Sequence, residues 1–205
     1  MERVGFSFEN AFSRGSKCTH KEIECRYLTL QGLRQLGRND PRTAGVTLDE
    51  GSWGGRVGRA ISDSDALRKL CVVRFEDDEG EIWLGELCQA LARNRSIECL
   101  SLDMSDNVLD LDIFLNLTPF LEKNHNLRHI SVSEDRGPGP KTFNSLVSAL
   151  SKWKNSGLEY ISVASWDATD EQSAAFFDSL REHRNVSVVM FNGIILEKKG
   201  CTALS

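Results

Sequence analysis

Residues 97–102 read Ile97-Glu98-Cys99-Leu100-Ser101-Leu102, and thirty positions later Leu127-Arg128-His129-Ile130-Ser131-Val132 repeats the arrangement. Both place apolar side chains at the first, fourth and sixth positions. The alternation at the end of each is the two-residue period of a strand with one buried face. Working outward, Leu67/Leu70/Val72, Leu158/Ile161/Val163 and Val186/Val189/Phe191 keep the pattern, with successive starts 30, 30, 31 and 28 residues apart. Val46/Leu48, after the turn signal Asn39-Asp40-Pro41, is a degenerate further copy.

A second stripe runs between these segments at helical spacing. Leu84, Leu87, Cys88 and Leu91 occupy i, i+3, i+4 and i+7, one face of a helix. Phe114/Leu117/Phe120/Leu121 and Phe143/Leu146/Val147/Leu150 repeat it. Phe176/Phe177/Leu180 and Val57/Ala60/Ile61 are shorter versions. The phase between stripe and strand is constant except before Leu158, where Trp153-Lys154-Asn155-Ser156-Gly157 holds a two-residue insertion.

One strand and one helix cannot bury their apolar faces alone, but stacked copies can. Leu70, Leu100, Ile130, Ile161 and Val189 then form one continuous inner row. The expected fold class is therefore α/β, a right-handed strand–helix solenoid with a parallel sheet on one face and helices on the other.

This pattern, L-x-x-L-x-L with a helix in each repeat, resembles the leucine-rich-repeat family. The period of 28–31 residues and the segments ALARNRSIECLSL and FLEKNHNLRHISV are similar to its ribonuclease-inhibitor-like subclass. The resemblance spans residues 40–196. It implies a horseshoe with the sheet on the concave side, helices on the convex side, and partner binding rather than catalysis. The family's usual Asn or Cys three places after the third apolar residue is replaced by Phe75, Ser105, Asp135, Trp166 and Ile194, so irregular turns are expected.

The strand positions that alternate with the core face the opposite side. They make three columns: Lys69, Cys99, His129, Tyr160 and Val188; Cys71, Ser101, Ser131, Ser162 and Met190; Val73, Asp103, Ser133, Ala164 and Asn192. Most are small, which suits either a crowded parallel sheet or a partner that approaches closely. Candidate contacts with a protein partner are Lys69, Cys71, Ser101, Asp103, His129, Ser131, Tyr160, Ser162, Met190 and Asn192, with Tyr160 and Met190 as anchors. Glu76, Asp77, Asp78 and Glu79 lead a series of acidic clusters after the strands and are the candidate acidic-rim contacts, whereas basic residues gather where helices end. The same polarity also complements helix dipoles.

Composition excludes several classes. The chain has 205 residues, 27% of them charged, and a formal charge of −5; a nucleic-acid binder more often carries a basic excess. No run reaches the 18 or so apolar residues that a membrane span requires. The N-terminus lacks the apolar core of a secretory signal. Six cysteines at irregular spacing, three inside apolar runs, read as free thiols, so a reducing, cytoplasmic setting is expected. The N-x-S/T triplets at Asn94, Asn116 and Asn185 read as chance.

No cofactor, metal or catalytic residue is expected. Gly137-Pro138-Gly139-Pro140-Lys141-Thr142 lacks the Gly that a phosphate loop places before Lys-Thr and reads as a turn entering a helix. Cys18, His20 and Cys25 are three zinc-ligand types without a fourth nearby. Asp103, His129 and Ser131 on adjacent rungs carry a hydrolase alternative, without an oxyanion donor or a pocket signal.

The expected organisation is a flexible tail over 1–20, a capping helix and turn over 21–44, and the repeat domain over 45–205. The helical spacing of Ile23, Leu30, Leu33 and Leu36 predicts a helix over 22–38; an alternative is an adaptor segment recruiting a second protein. After Phe191 no closing repeat is legible, so the last rung is expected either to stay partly bare or to be covered by a second copy through Met190, Phe191 and Ile195.

Overall fold

The computed structural model describes residues 23–49, 55–73, 80–103, 113–133, 140–153, 157–164 and 168–191. Strand and helix alternate throughout. The strands are β1 (Arg26–Tyr27), β2 (Gly45–Leu48), β3 (Lys69–Val73), β4 (Cys99–Asp103), β5 (His129–Ser133), β6 (Tyr160–Ala164) and β7 (Val188–Phe191). The helices are α1 (Leu30–Leu36), α2 (Gly55–Asp63), α3 (Gly80–Arg93), α4 (Ile113–Lys123), α5 (Pro140–Lys152) and α6 (Asp170–Leu180). The strands form one sheet in sequence order, every neighbouring pair parallel. This is the strand–helix solenoid that the repeat predicts.

Register follows the repeat residue for residue. Leu70 pairs with Leu100, Leu100 with Ile130, Ile130 with Ile161 and Ile161 with Val189. Leu70, Leu100, Ile130 and Ile161 are at most 1% exposed, while the alternate positions are half-buried. Leu87, Leu91, Leu117, Phe120, Leu121, Leu146, Leu150 and Phe176 come from the helices to complete the same core. Consecutive helices α2 to α6 pack side by side as one layer. Parallel strands joined through helices cross over in one hand, which keeps that layer on one face of the sheet.

What locks rung to rung is a set of buried polar side chains just past the helices, at positions 64, 94, 124 and 183. Asn94 donates from Nδ2 to the carbonyls of Ile61 (2.7 Å) and Ser64 (2.8 Å), and its Oδ1 accepts from the backbone of Ser96 and Ile97. Asn124 donates to Ile97 O and accepts from Asn126 and Leu127 N–H. Ser64 Oγ accepts from Ala66 and Leu67 N–H, and His183 Nε2 meets Leu150 O at 3.0 Å. Each takes up backbone groups that a tight helix-to-strand turn would otherwise bury unpaired. Asn94, 1% exposed, is thereby explained as a structural residue of its triplet.

The N-terminal region differs from the helix expected over 22–38. Helix is confined to Leu30–Leu36, starting at Thr29, whose side chain accepts from Gly32 N–H. Arg26–Tyr27 is extended instead, pairing with Val46 and Thr47, because the free edge of β2 offers backbone partners that a helix turn would forgo. At the other end of the chain, Thr169 and Gln172 form a reciprocal capping box that starts α6. Helix α5 starts at Pro140, whose missing N–H costs nothing in a first turn. Among the described residues no helix is long and apolar enough to cross a membrane.

Candidate functional site

The sheet face turned away from the helices carries the candidate contacts, and pairing places them in the expected columns. Lys69, Cys99, His129, Tyr160 and Val188 align across five strands. Beside them run Cys71, Ser101, Ser131, Ser162 and Met190, then Val73, Asp103, Ser133 and Ala164. Parallel neighbours lie about 4.8 Å apart, so the three serines present a shallow polar floor. Asn192, Ile195 and the acidic series Glu76, Asp77, Asp78 and Glu79 lie outside the described residues.

Side chains on this face are tied to one another, within columns and between them. Tyr160 donates its hydroxyl to Met190 Sδ at 2.9 Å, joining the two anchors. The His129 and Tyr160 rings stack with centroids 5.5 Å apart. Ser133 Oγ donates to Asp103 Oδ1 at 3.0 Å. These contacts fix the larger side chains on a face otherwise made of short ones.

Register separates the residues of the hydrolase alternative. Asp103 stands beside Ser133, whereas His129 stands between Cys99 and Tyr160 and approaches Glu159 at 3.8 Å. Four residues of strand rise, roughly 13 Å, therefore lie between the levels of Asp103 and His129. The three side chains are not brought into a relay. Among the described residues no group of three or more His, Cys, Asp or Glu side chains could hold a metal ion. Cys25 is described; Cys18 and His20 are not.

The positions that open each strand segment hold a feature that the column reading missed. Arg68, Glu98, Arg128 and Glu159 alternate in sign along one edge of the sheet. Arg68 Nε lies 3.3 Å from Glu98 Oε1, and Arg128 Nη1 2.5 Å from Glu159 Oε1. The backbone carbonyls of Arg68, Glu98, Arg128 and Glu159 each accept two N–H groups from the following rung, which sets the side chains in file. Beside this ladder, Asp65, Arg68, Arg95, Ser96, Glu98 and Asn126 line a cleft of about 280 Å³. The spacing of 30, 30 and 31 residues was the available signal.

Also missed was a sulfur pair. Cys25 Sγ lies 3.3 Å from Cys71 Sγ on the outer face. Their mutual hydrogen bond, helped by the charge of Lys69, lowers Cys71 to about 7, while the same bond raises Cys25. Cys88, within the helix layer, is pushed up to about 12 by burial alone.

No family model matches this sequence, and no curated protein matches it. Several solved structures share the architecture, two of them as follows. Leiomodin-1 actin-binding site 2 superposes with a TM-score of 0.57 at 15% identity, covering 77% of this chain and 91% of that one. The tropomodulin C-terminal domain, from structural genomics of Caenorhabditis elegans, gives a TM-score of 0.50 at 14% identity, covering 75% and 92%. At these identities the likeness is one of fold.

Proposed function

We propose that this chain is a non-catalytic docking module that holds a protein partner on the outer, concave face of its sheet. The observation that carries this reading is the in-register column Cys71, Ser101, Ser131, Ser162 and Met190, short side chains except at its end, on the face that the helix layer leaves open. Short side chains let a partner's backbone or a protruding anchor come close, while Tyr160 and Met190 supply area at one end. Likeness of fold to the actin-binding site 2 of leiomodin-1 supports a protein, rather than a small molecule, as the ligand. The repeat period and one helix per rung support the ribonuclease-inhibitor-like subclass. The irregular spacing of the six cysteines, three of them inside apolar runs, supports a reducing, cytoplasmic setting.

The test is quantitative affinity capture and co-sedimentation with filamentous actin, using the full chain. Ser131→Arg puts a long cation in the middle of the floor, and Tyr160→Ala removes the anchor. Both weaken capture of the same partner, whereas Gln89→Ala, on an exposed face of α3, leaves it intact. Equal capture by all three variants would defeat the reading.

A further inference from the structure

The N-terminal segment crosses the open face of the sheet at its first rungs. Ile23 and Glu24 lie directly over Gly45: a Cβ there would stand 2.4 Å from Glu24 O and 2.8 Å from Ile23 Cγ2. Lys69 Nζ reaches back to Ile23 O at 3.5 Å. This crossing sets Cys25 against Cys71, 46 residues away in sequence. Both sulfurs are half-buried, neither is bonded to another cysteine, and they lie 3.3 Å apart. An S–S bond of about 2.05 Å needs them to approach by little more than 1 Å, within reach of side-chain rotation.

We propose that Cys25 and Cys71 are an oxidisable dithiol that reacts with a hydroperoxide and pins the N-terminal segment to β3. The two sulfurs share a proton, and Lys69 stands beside Cys71, so Cys71 is the thiolate and Cys25 the thiol. Cys71 Sγ attacks one peroxide oxygen; the O–O bond breaks, and the leaving alkoxide or hydroxide takes up a proton. Cys71 then carries a sulfenic acid. Cys25 Sγ attacks Cys71 Sγ, the S–O bond breaks, and hydroxide departs with the Cys25 proton as water. Overall two thiols lose two electrons and two protons, and the hydroperoxide becomes an alcohol (or water) plus water. Such a bond fixes the segment over Gly45 and beside Lys69. This chemistry stands whether or not a partner docks on the same face.

The reduced full chain is exposed to a small excess of hydrogen peroxide, alkylated and mapped by mass spectrometry without reduction. The expected product is a linked peptide pair containing Cys25 and Cys71, with two thiols lost per chain, Cys88 still reduced, and both thiols recovered by dithiothreitol. In Cys25→Ser the reaction stops at a Cys71 sulfenic acid that dimedone traps. A Cys18–Cys25 or Cys71–Cys99 link in place of the expected one overturns the proposal, as does a Cys71 that stays unmodified.

Discussion

Asn94 donates to the backbone carbonyl of Ile61, 33 residues earlier, across 2.7 Å of buried protein. Its amide also holds Ser64 O and accepts from Ser96 and Ile97 N–H, so one side chain joins the end of one rung to the start of the next. Asn94→Ala strands several buried backbone groups at once. Loss of roughly 3 kcal/mol is expected, a fall in Tm of about 6–12 °C for a chain of this size. Asn126→Ala removes one exposed bond to Arg95 O and costs less than about 1 kcal/mol. Thermal melts of the two variants separate a rung lock from an ordinary turn residue; equal losses would contradict the lock.

Trp153 holds the place that asparagine takes in the two preceding rungs, and it works differently. An indole has one donor and no acceptor, so it cannot receive the backbone N–H groups of the next turn. It is 1% exposed and packs on the His183 ring at 5.5 Å; its own Nε1–H has no partner among the described residues. Its contribution is apolar filling at the end of α5, packed against His183. Trp153→Ala is expected to cost about 3–5 kcal/mol. Trp153→Phe keeps a ring and discards the N–H, so it costs less than half as much. Denaturant midpoints decide it, and near-equal losses would mean that the indole N–H is paired after all.

How far the sequence carried the fold depends on what each residue was answering to. Leu70, Leu100, Ile130 and Ile161 answer to one shared environment, so their spacing alone gave strand order, register and outer columns. The asparagines at 94 and 124 stand inside the repeat, yet hydrophobic periodicity says nothing of polar side chains that serve backbone. The Arg68–Glu98–Arg128–Glu159 ladder is equally periodic, but exposed charges leave no mark on a hydrophobic period. Cys25 was beyond reach: its contact with Cys71 depends on how Ile23 and Glu24 cross Gly45, a path outside the repeat. The helix expected over 22–38 is shortened to Leu30–Leu36 for the same reason, since the free edge of β2 competes for Arg26–Tyr27.

Gly45 is required by that crossing. The atom nearest to an added Cβ is the backbone oxygen of Glu24 at 2.4 Å, which cannot rotate aside. Gly45→Ala therefore displaces the N-terminal segment at a cost of about 1–3 kcal/mol. Leu28 N–H, bonded to Thr47 O at 3.0 Å, exchanges faster, and Cys25 becomes easier to alkylate. Gly32→Ala is the counterpart inside α1, where the nearest atoms are side-chain atoms of Thr29 and Leu28 at 3.4 and 3.5 Å. Helix preference favours alanine there by about 0.5–1 kcal/mol, so this variant holds or gains stability. Hydrogen exchange over residues 23–28 separates the two, and a normal pattern in Gly45→Ala would show that the segment does not lie where the glycine admits it.

Asp40 gives the N-terminal turn a pH dependence with a definite sign. Its carboxylate accepts from Arg42 N–H and from the Arg42 guanidinium, capping the short 3-10 helix Pro41–Thr43 that leads into β2. The guanidinium bond first, and the backbone bond second, lower its pKa from the usual 3.8 to about 2. A group whose pKa falls on folding binds protons more tightly when unfolded. Its stabilisation is therefore complete above about pH 4 and fades as pH falls toward 2. A carboxyl NMR titration is expected to show Asp40 with a midpoint near 2. Arg42→Ala removes the larger cause but keeps the backbone N–H, so the midpoint moves only part of the way back. A full return to 3.8 would assign the whole effect to the guanidinium, and no movement would assign it to the turn alone.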